Sequence, residues 1–241
     1  MKGKIPTLLA LLVIGALGGV IFQAFILPYL ATKPFFQRFQ FVEILTQREV
    51  NVHPKETIII QENTALKESI EKVQNAVMMV RASSTTQTVY GTALILSSDG
   101  LIVTLNDVLP WGYTFAFFWE GEMVPAEILK RDAENNLALI KVEKENLPTA
   151  GFANFEELRL GERVFLLGVI LKANKQKKIV NEGIVKVIDE DSIRTNIVEK
   201  RTLQGSPLFN VEGMVVGINT IDFEGNVSAI PVRQIQEFAG F

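Results

Sequence analysis

One histidine and no cysteine occur in the 241 residues, and these two counts decide most of the chemistry open to the chain. Without thiols there is no disulfide, no Cys-ligated zinc and no thiolate nucleophile. The best-placed hydroxyl lies in the stretch TLQGSPLFNVEGMVVGINT, where Ser206 follows Gly205 in a turn-forming segment. Acyl transfer by such a hydroxyl needs a base within hydrogen-bond reach, ordinarily an imidazole. The only imidazole, His53, lies far upstream. Asp107 or a lysine would have to serve instead. Gln204, two residues before Ser206, can donate and accept hydrogen bonds but cannot attack a carbonyl in this way. A metal would have to be held by carboxylates alone. The nearest acidic run, DEDS at 189–192, reads as a solvated hairpin turn, so no metal and no cofactor are expected.

The balance of 24 Lys+Arg against 27 Asp+Glu, net −3, leaves no basic footprint, and nucleic acid is excluded as an expected partner. Residues 7–30 carry no charged side chain over a length that, as helix at about 1.5 Å per residue, would cross roughly 30 Å of hydrocarbon. We therefore expect a short tail at 1–6 and one transmembrane anchor at 7–30, making the membrane a partner. The flanking positive charges lean only slightly towards an inside N-terminus, which would put the rest of the chain on the extracytoplasmic side. Gly15 and Gly19 form a GxxxG pair that lets two helices approach, so a homo-oligomer is one outcome the pattern allows.

Beyond the anchor, 31–63 mixes aromatics, charges and Pro54 without a sustained period, which reads as a stalk, partly helical at 35–48. Leu66, Ile70 and Val73 then recur at helical spacing in a short amphipathic helix that feeds a strand at 76–81. From there to 231 the pattern is of short apolar or alternating runs broken by turn residues. GTALILSSDGLIVTL predicts a hairpin about Asp99-Gly100. Many such strands at regular spacing indicate an all-β sandwich or barrel. Tyr113, Phe115, Phe117 and Trp119 alternate along one strand face and are expected in the core, or on a patch facing a bilayer or partner. Lys172, Lys175, Lys177 and Lys178 fit a solvated hairpin, and Val232, Ile235 and Phe238 a terminal helix at 232–238.

Four segments in order carry a resemblance. GTALILSSDGLIVTLNDVL, AEILKRDAENNLALIKVE, VNEGIVKVI, and IRTNIVEKRTLQGSPLFNVEGMVVGINT followed by SAIPVRQIQEF are similar to the protease domain of the HtrA/Deg family of trypsin-like serine peptidases. The likeness spans roughly 64–240. It implies a trypsin-like double β-barrel over 64–241, with barrels at about 76–150 and 151–231, and no appended PDZ module. The family's general-base histidine falls on Asp107, its orienting aspartate on Asn136 and its nucleophilic serine on Gln204. In the loop whose amides would face an oxyanion, Gly205 survives, while Thr202, Leu203 and Ser206 replace the family's residues. The resemblance therefore implies a membrane-anchored, catalytically inactive homologue, a pseudoprotease whose cleft holds an extended peptide or unfolded protein. Two alternatives stay open: an active serine endopeptidase with a rearranged site at Ser206, and a structural membrane subunit.

Overall fold

In the computed structural model the described residues are 4–26, 29, 62–173 and 175–241. Stalk residues 31–61, His53 among them, lie outside them. The chain divides into two compact units, Met1–Ile59 and Ile60–Phe241.

In the first unit, helix α1 covers Lys4–Ile21 and passes into a π-helical turn at Phe22–Ile26. The anchor expected over 7–30 falls partly in this helix and turn, and residues 27, 28 and 30 lie outside the described residues. Eighteen residues rise about 27 Å, and among the described residues no helix is long and apolar enough to cross a membrane.

The second unit opens with helix α2, Glu62–Val73. Its apolar stripe docks on the core, with Val73 buried and Leu66 and Ile70 half-buried against it. Thirteen strands follow: β1 Val77–Ser83, β2 Thr88–Ile95, β3 Leu101–Leu105, β4 Thr114–Trp119, β5 Glu122–Val124, β6 Ala126–Asp132, β7 Leu137–Val142, β8 Arg163–Lys172, β9 Lys175–Ile188, β10 Ile193–Val198, β11 Pro207–Asn210, β12 Val215–Ile221 and β13 Asn226–Pro231. Helix α3, Val232–Ala239, closes the chain, burying Val232, Ile235 and Phe238 and ending on Gly240 in the left-handed conformation.

Strands β1–β7 form one sheet in the order β5-β4-β1-β2-β3-β7-β6, and β8–β13 form a closed barrel in the order β10-β13-β12-β11-β8-β9. All paired strands in both run antiparallel. The first barrel is thus a half-barrel rather than the closed one expected. Strand β5 has three residues, and Pro125 separates it from β6. Lacking an N–H, Pro125 cannot extend a ladder, so β5 and β6 remain the two edges. The predicted turn at Asp99-Gly100 joins β2 to β3, with Gly100 at φ 101°.

Side-chain alternation builds the two cores. Along β10, Ile193, Thr195 and Ile197 point inward while Arg194, Asn196 and Val198 face solvent. The barrel interior gathers Leu166, Leu208, Val216 and Val227 around them. Of the aromatic row, only Phe117 is fully buried; Tyr113, Phe115 and Trp119 are half-buried at its ends. The two layers meet at Thr92 of β2. Its N–H donates to the Gln204 carbonyl (2.9 Å), its Oγ1 accepts from the Val169 N–H (3.0 Å), and its carbonyl accepts from Thr104 Oγ1 (2.7 Å). That junction holds the segment carrying Gln204 against the first sheet.

Candidate active site

The three positions marked by the sequence lie on three turns, of which the first two meet. Asp107 sits in a short 3-10 turn, Asn106–Val108, after β3. Asn136 ends the tight turn before β7 at φ 54°, a left-handed conformation that Asn tolerates better than most residues. The β3–β7 pairing brings the two turns side by side. The Asp107 N–H donates to Asn136 Oδ1 (2.9 Å), and Asn136 Nδ2 donates to Asp107 Oδ2 (3.1 Å). The Asp107 carboxylate is therefore tied to the Asn136 amide. Both lie at the surface, Asp107 exposed and Asn136 half-buried.

Arg131, which the sequence reading did not single out, braces this corner. Its Nη1 donates to Asn106 Oδ1 (2.9 Å) and to the Leu109 carbonyl (2.6 Å), and its guanidinium lies 4.7 Å from the centre of the Trp111 ring. Burial lowers its pKa from the ordinary value, the usual consequence of desolvating a cation.

Gln204 follows a 3-10 turn, Arg201–Leu203. The turn consumes amides: Leu203 N–H donates to the Lys200 carbonyl (2.9 Å) and Gln204 N–H to the Arg201 carbonyl (3.1 Å). In a serine peptidase the amide of the nucleophile's own residue helps hold the oxyanion. The Gln204 amide, which the resemblance sets at that position, is already satisfied. The Gln204 side chain turns inward, 8% exposed, and its Nε2 donates to the Ile221 carbonyl (2.9 Å). Thr202 is exposed and Leu203 is buried in the barrel core.

Gly205, at φ 77°, lies so close to β2 and β3 that a Cβ there would meet the Thr92 carbonyl at 2.3 Å and Thr104 Oγ1 at 2.4 Å. Ser206 is fully buried. Its Oγ accepts from Asn219 Nδ2 (3.1 Å), and its N–H and carbonyl are both used in backbone hydrogen bonds. No substrate carbonyl can reach it without local opening, which counts against the rearranged site. Asn219, likewise fully buried, has an Oδ1 without a hydrogen-bond partner among the described residues. Thr92, Arg131 and Asn219 carry no local sequence signal, because their roles arise from segments far apart in the chain.

DEDS forms the β9–β10 turn as expected, with Asp189 N–H on the Ser192 carbonyl at 2.8 Å. Among the described residues no group of three or more His, Cys, Asp or Glu side chains is placed to hold a metal ion.

Comparison with known proteins adds the lineage of this arrangement. The family described as trypsin-like peptidase domain matches residues 91–218, just over half of the chain. A probable periplasmic serine endoprotease, DegP-like, of Chlamydia pneumoniae is 31% identical over 147 residues, covering 58% of this chain and 30% of that protein. Serine protease HTRA1 of Xenopus laevis is 32% identical over 163 residues, covering 61% and 35%. The putative serine protease HhoB of Synechocystis is 28% identical over 165 residues, covering 62% and 39%. The chain thus spans about a third of the length of these curated relatives. A solved structure, the HtrA-type protease AlgW with tripeptide, superposes with a TM-score of 0.64 at 21% identity, covering 73% of this chain and 62% of that one. At that identity the likeness establishes the fold.

Proposed function

Since the chain belongs to the trypsin-like peptidases of the HtrA/Deg family, we propose that it is a member that has lost peptide hydrolysis and retains the family frame for binding an extended peptide or unfolded protein. The carrying observation is the state of the nucleophile position. Gln204 has no attacking atom, directs its amide to Ile221, and has its own N–H bonded to Arg201. The Asp107–Asn136 pair supports the same reading, since its members bond each other instead of serving a hydroxyl. Binding without cleavage would use strand edges and cleft walls that proteases offer to extended chains.

We further propose that α1 associates with a bilayer and that the second unit is extracytoplasmic. Leu11, Leu12, Val13, Ile14, Leu17, Val20 and Ile21 are all exposed on α1, and an apolar helix surface of this extent calls for apolar surroundings. The DegP-like relative is described as periplasmic. Retention in the pellet after alkaline carbonate washing of membranes is expected; release into the supernatant would remove the anchor.

The decisive experiment for hydrolysis uses the full chain and unfolded casein, beside a variant carrying Asp107→His, Asn136→Asp, Thr202→Gly, Leu203→Asn, Gln204→Ser and Ser206→Gly. A silent parent and an active variant are expected. Cleavage by the parent that disappears in Ser206→Ala would overturn the proposal.

A further inference from the structure

The β8–β9 hairpin extends over the first sheet without filling the space beneath it. Strand alternation puts Val77, Met79 and Arg81 on one face of β1, and Phe118 of β4 lies directly across from Met79. On the hairpin, Val169 pairs with Lys178 and Leu171 with Gln176, so these four present one common face. Between the two faces is a cavity of about 690 Å³. A half-open cleft of this size falls within the range of ligand sites, roughly 300–1,000 Å³.

Two hydrogen bonds hold the cavity open. Lys178 Nζ donates to Asn75 Oδ1, and the Gly121 N–H donates to Gln176 Oε1 (3.2 Å). The Trp119 indole completes one wall, its Nε1 donating to the Asn75 carbonyl (3.0 Å). The apolar surfaces are Val77, Met79, Phe118, Val169 and Leu171. Three cations border them, Arg81 with its guanidinium 5.0 Å from the centre of the Phe118 ring, Lys175 and Lys178, against the single carboxylate of Glu120.

We propose that this cavity is a binding site for a single-chain amphiphile with a carboxylate head, a fatty acid, whose alkyl chain fills the gap and whose head lies among Arg81, Lys175 and Lys178. The walls are side-chain faces of two strand pairs, which satisfy an alkyl chain but give an extended peptide no main-chain ladder to join. Charge complementarity selects an anion over a neutral or cationic head. Burial lowers the Lys178 pKa from its ordinary value despite the nearby Glu120, and a bound carboxylate would offset that desolvation. Gln204 is not among the lining residues, and the site does not depend on whether the cleft hydrolyses anything.

Trp119 is a built-in reporter, because Trp111 is the only other tryptophan. In the full chain with Trp111→Phe, dodecanoate below its micellar concentration is expected to shift Trp119 emission saturably. Dodecanol and dodecyltrimethylammonium should bind about tenfold or more weakly, the equivalent of one charge-assisted contact. Leu171→Glu should abolish the response and Leu171→Met should keep it. Lys175→Glu, on an exposed residue, should weaken binding without touching the fold. The assignment is overturned by absence of saturation, by equal affinity for the three head groups, or by an undiminished response in Leu171→Glu. Tighter occupation of the site by a peptide of alternating glutamate and leucine would overturn it too, giving the cavity to a polypeptide.

Discussion

Replacing Asn136 with aspartate, the residue type the family resemblance implies at this position, should cost stability. The new side chain tolerates the left-handed backbone at φ 54° and can still accept from the Asp107 N–H. What it cannot do is donate to Asp107 Oδ2, now 3.1 Å from Nδ2, so a hydrogen bond becomes a contact between two carboxylates. The lost bond to a charged acceptor is worth about 1.5 kcal/mol, and the repulsion of two surface charges at that range about 1 kcal/mol in water. With exposure discounted, about 2 kcal/mol remains. For a unit the size of Ile60–Phe241 this lowers Tm by about 4–8 °C at pH 7. The pH dependence carries the sign. The neighbouring Asp107 carboxylate raises the folded pKa of the introduced carboxyl above its unfolded value, so the folded state binds more protons and stability falls as pH rises through the carboxyl range. Thermal unfolding followed by circular dichroism should show the deficit at pH 7 and its near disappearance at about pH 3. Equal Tm for parent and variant at pH 7 would refute the Asp107–Asn136 bond, and with it the statement that the two positions are mutually engaged.

Further outcomes follow from other sites. Gly205→Ala combines a left-handed backbone with a Cβ driven into the Thr92 carbonyl, so it should cost about 3 kcal/mol or more, whereas Gly161→Ala, at φ 82° with open space around it, should cost only about 1 kcal/mol. Comparable melting temperatures for the two would sink the close approach of the Gly205 turn to β2. A fluorophosphonate probe should leave Ser206 unlabelled in the folded chain because the hydroxyl is fully buried; labelling abolished by Ser206→Ala would reopen the site. Asp99 is held down to about 2, mainly by the Lys141 ammonium and then by Ser97, so its stabilising effect is present above the unfolded carboxyl value and is lost as pH falls towards 2. Carbon-detected NMR titration should find that low value in the parent and a rise towards the ordinary carboxylate range in Lys141→Met.

What the sequence determined by itself was chemical identity and period. One histidine far upstream and no cysteine are facts of composition that no folding can reverse. Periodicity placed α2, the Asp99-Gly100 hairpin, the lysine-bearing β8–β9 turn and α3, because each depends on local alternation, turn chemistry or capping. The order of the motifs also carried the trypsin-like frame. Local patterns could not show that the first sheet stays open, since closure depends on whether two distant edges, β5 and β6, can pair. Nor did the apolar length of 7–30 reveal the π turn after Ile21. The direction of the Gln204 side chain, the burial of Ser206 against Asn219 and the joining of the two layers by Thr92 belong to the tertiary structure alone. Each requires residues 13 or more positions apart to meet, and only the packing of the two layers sets those distances.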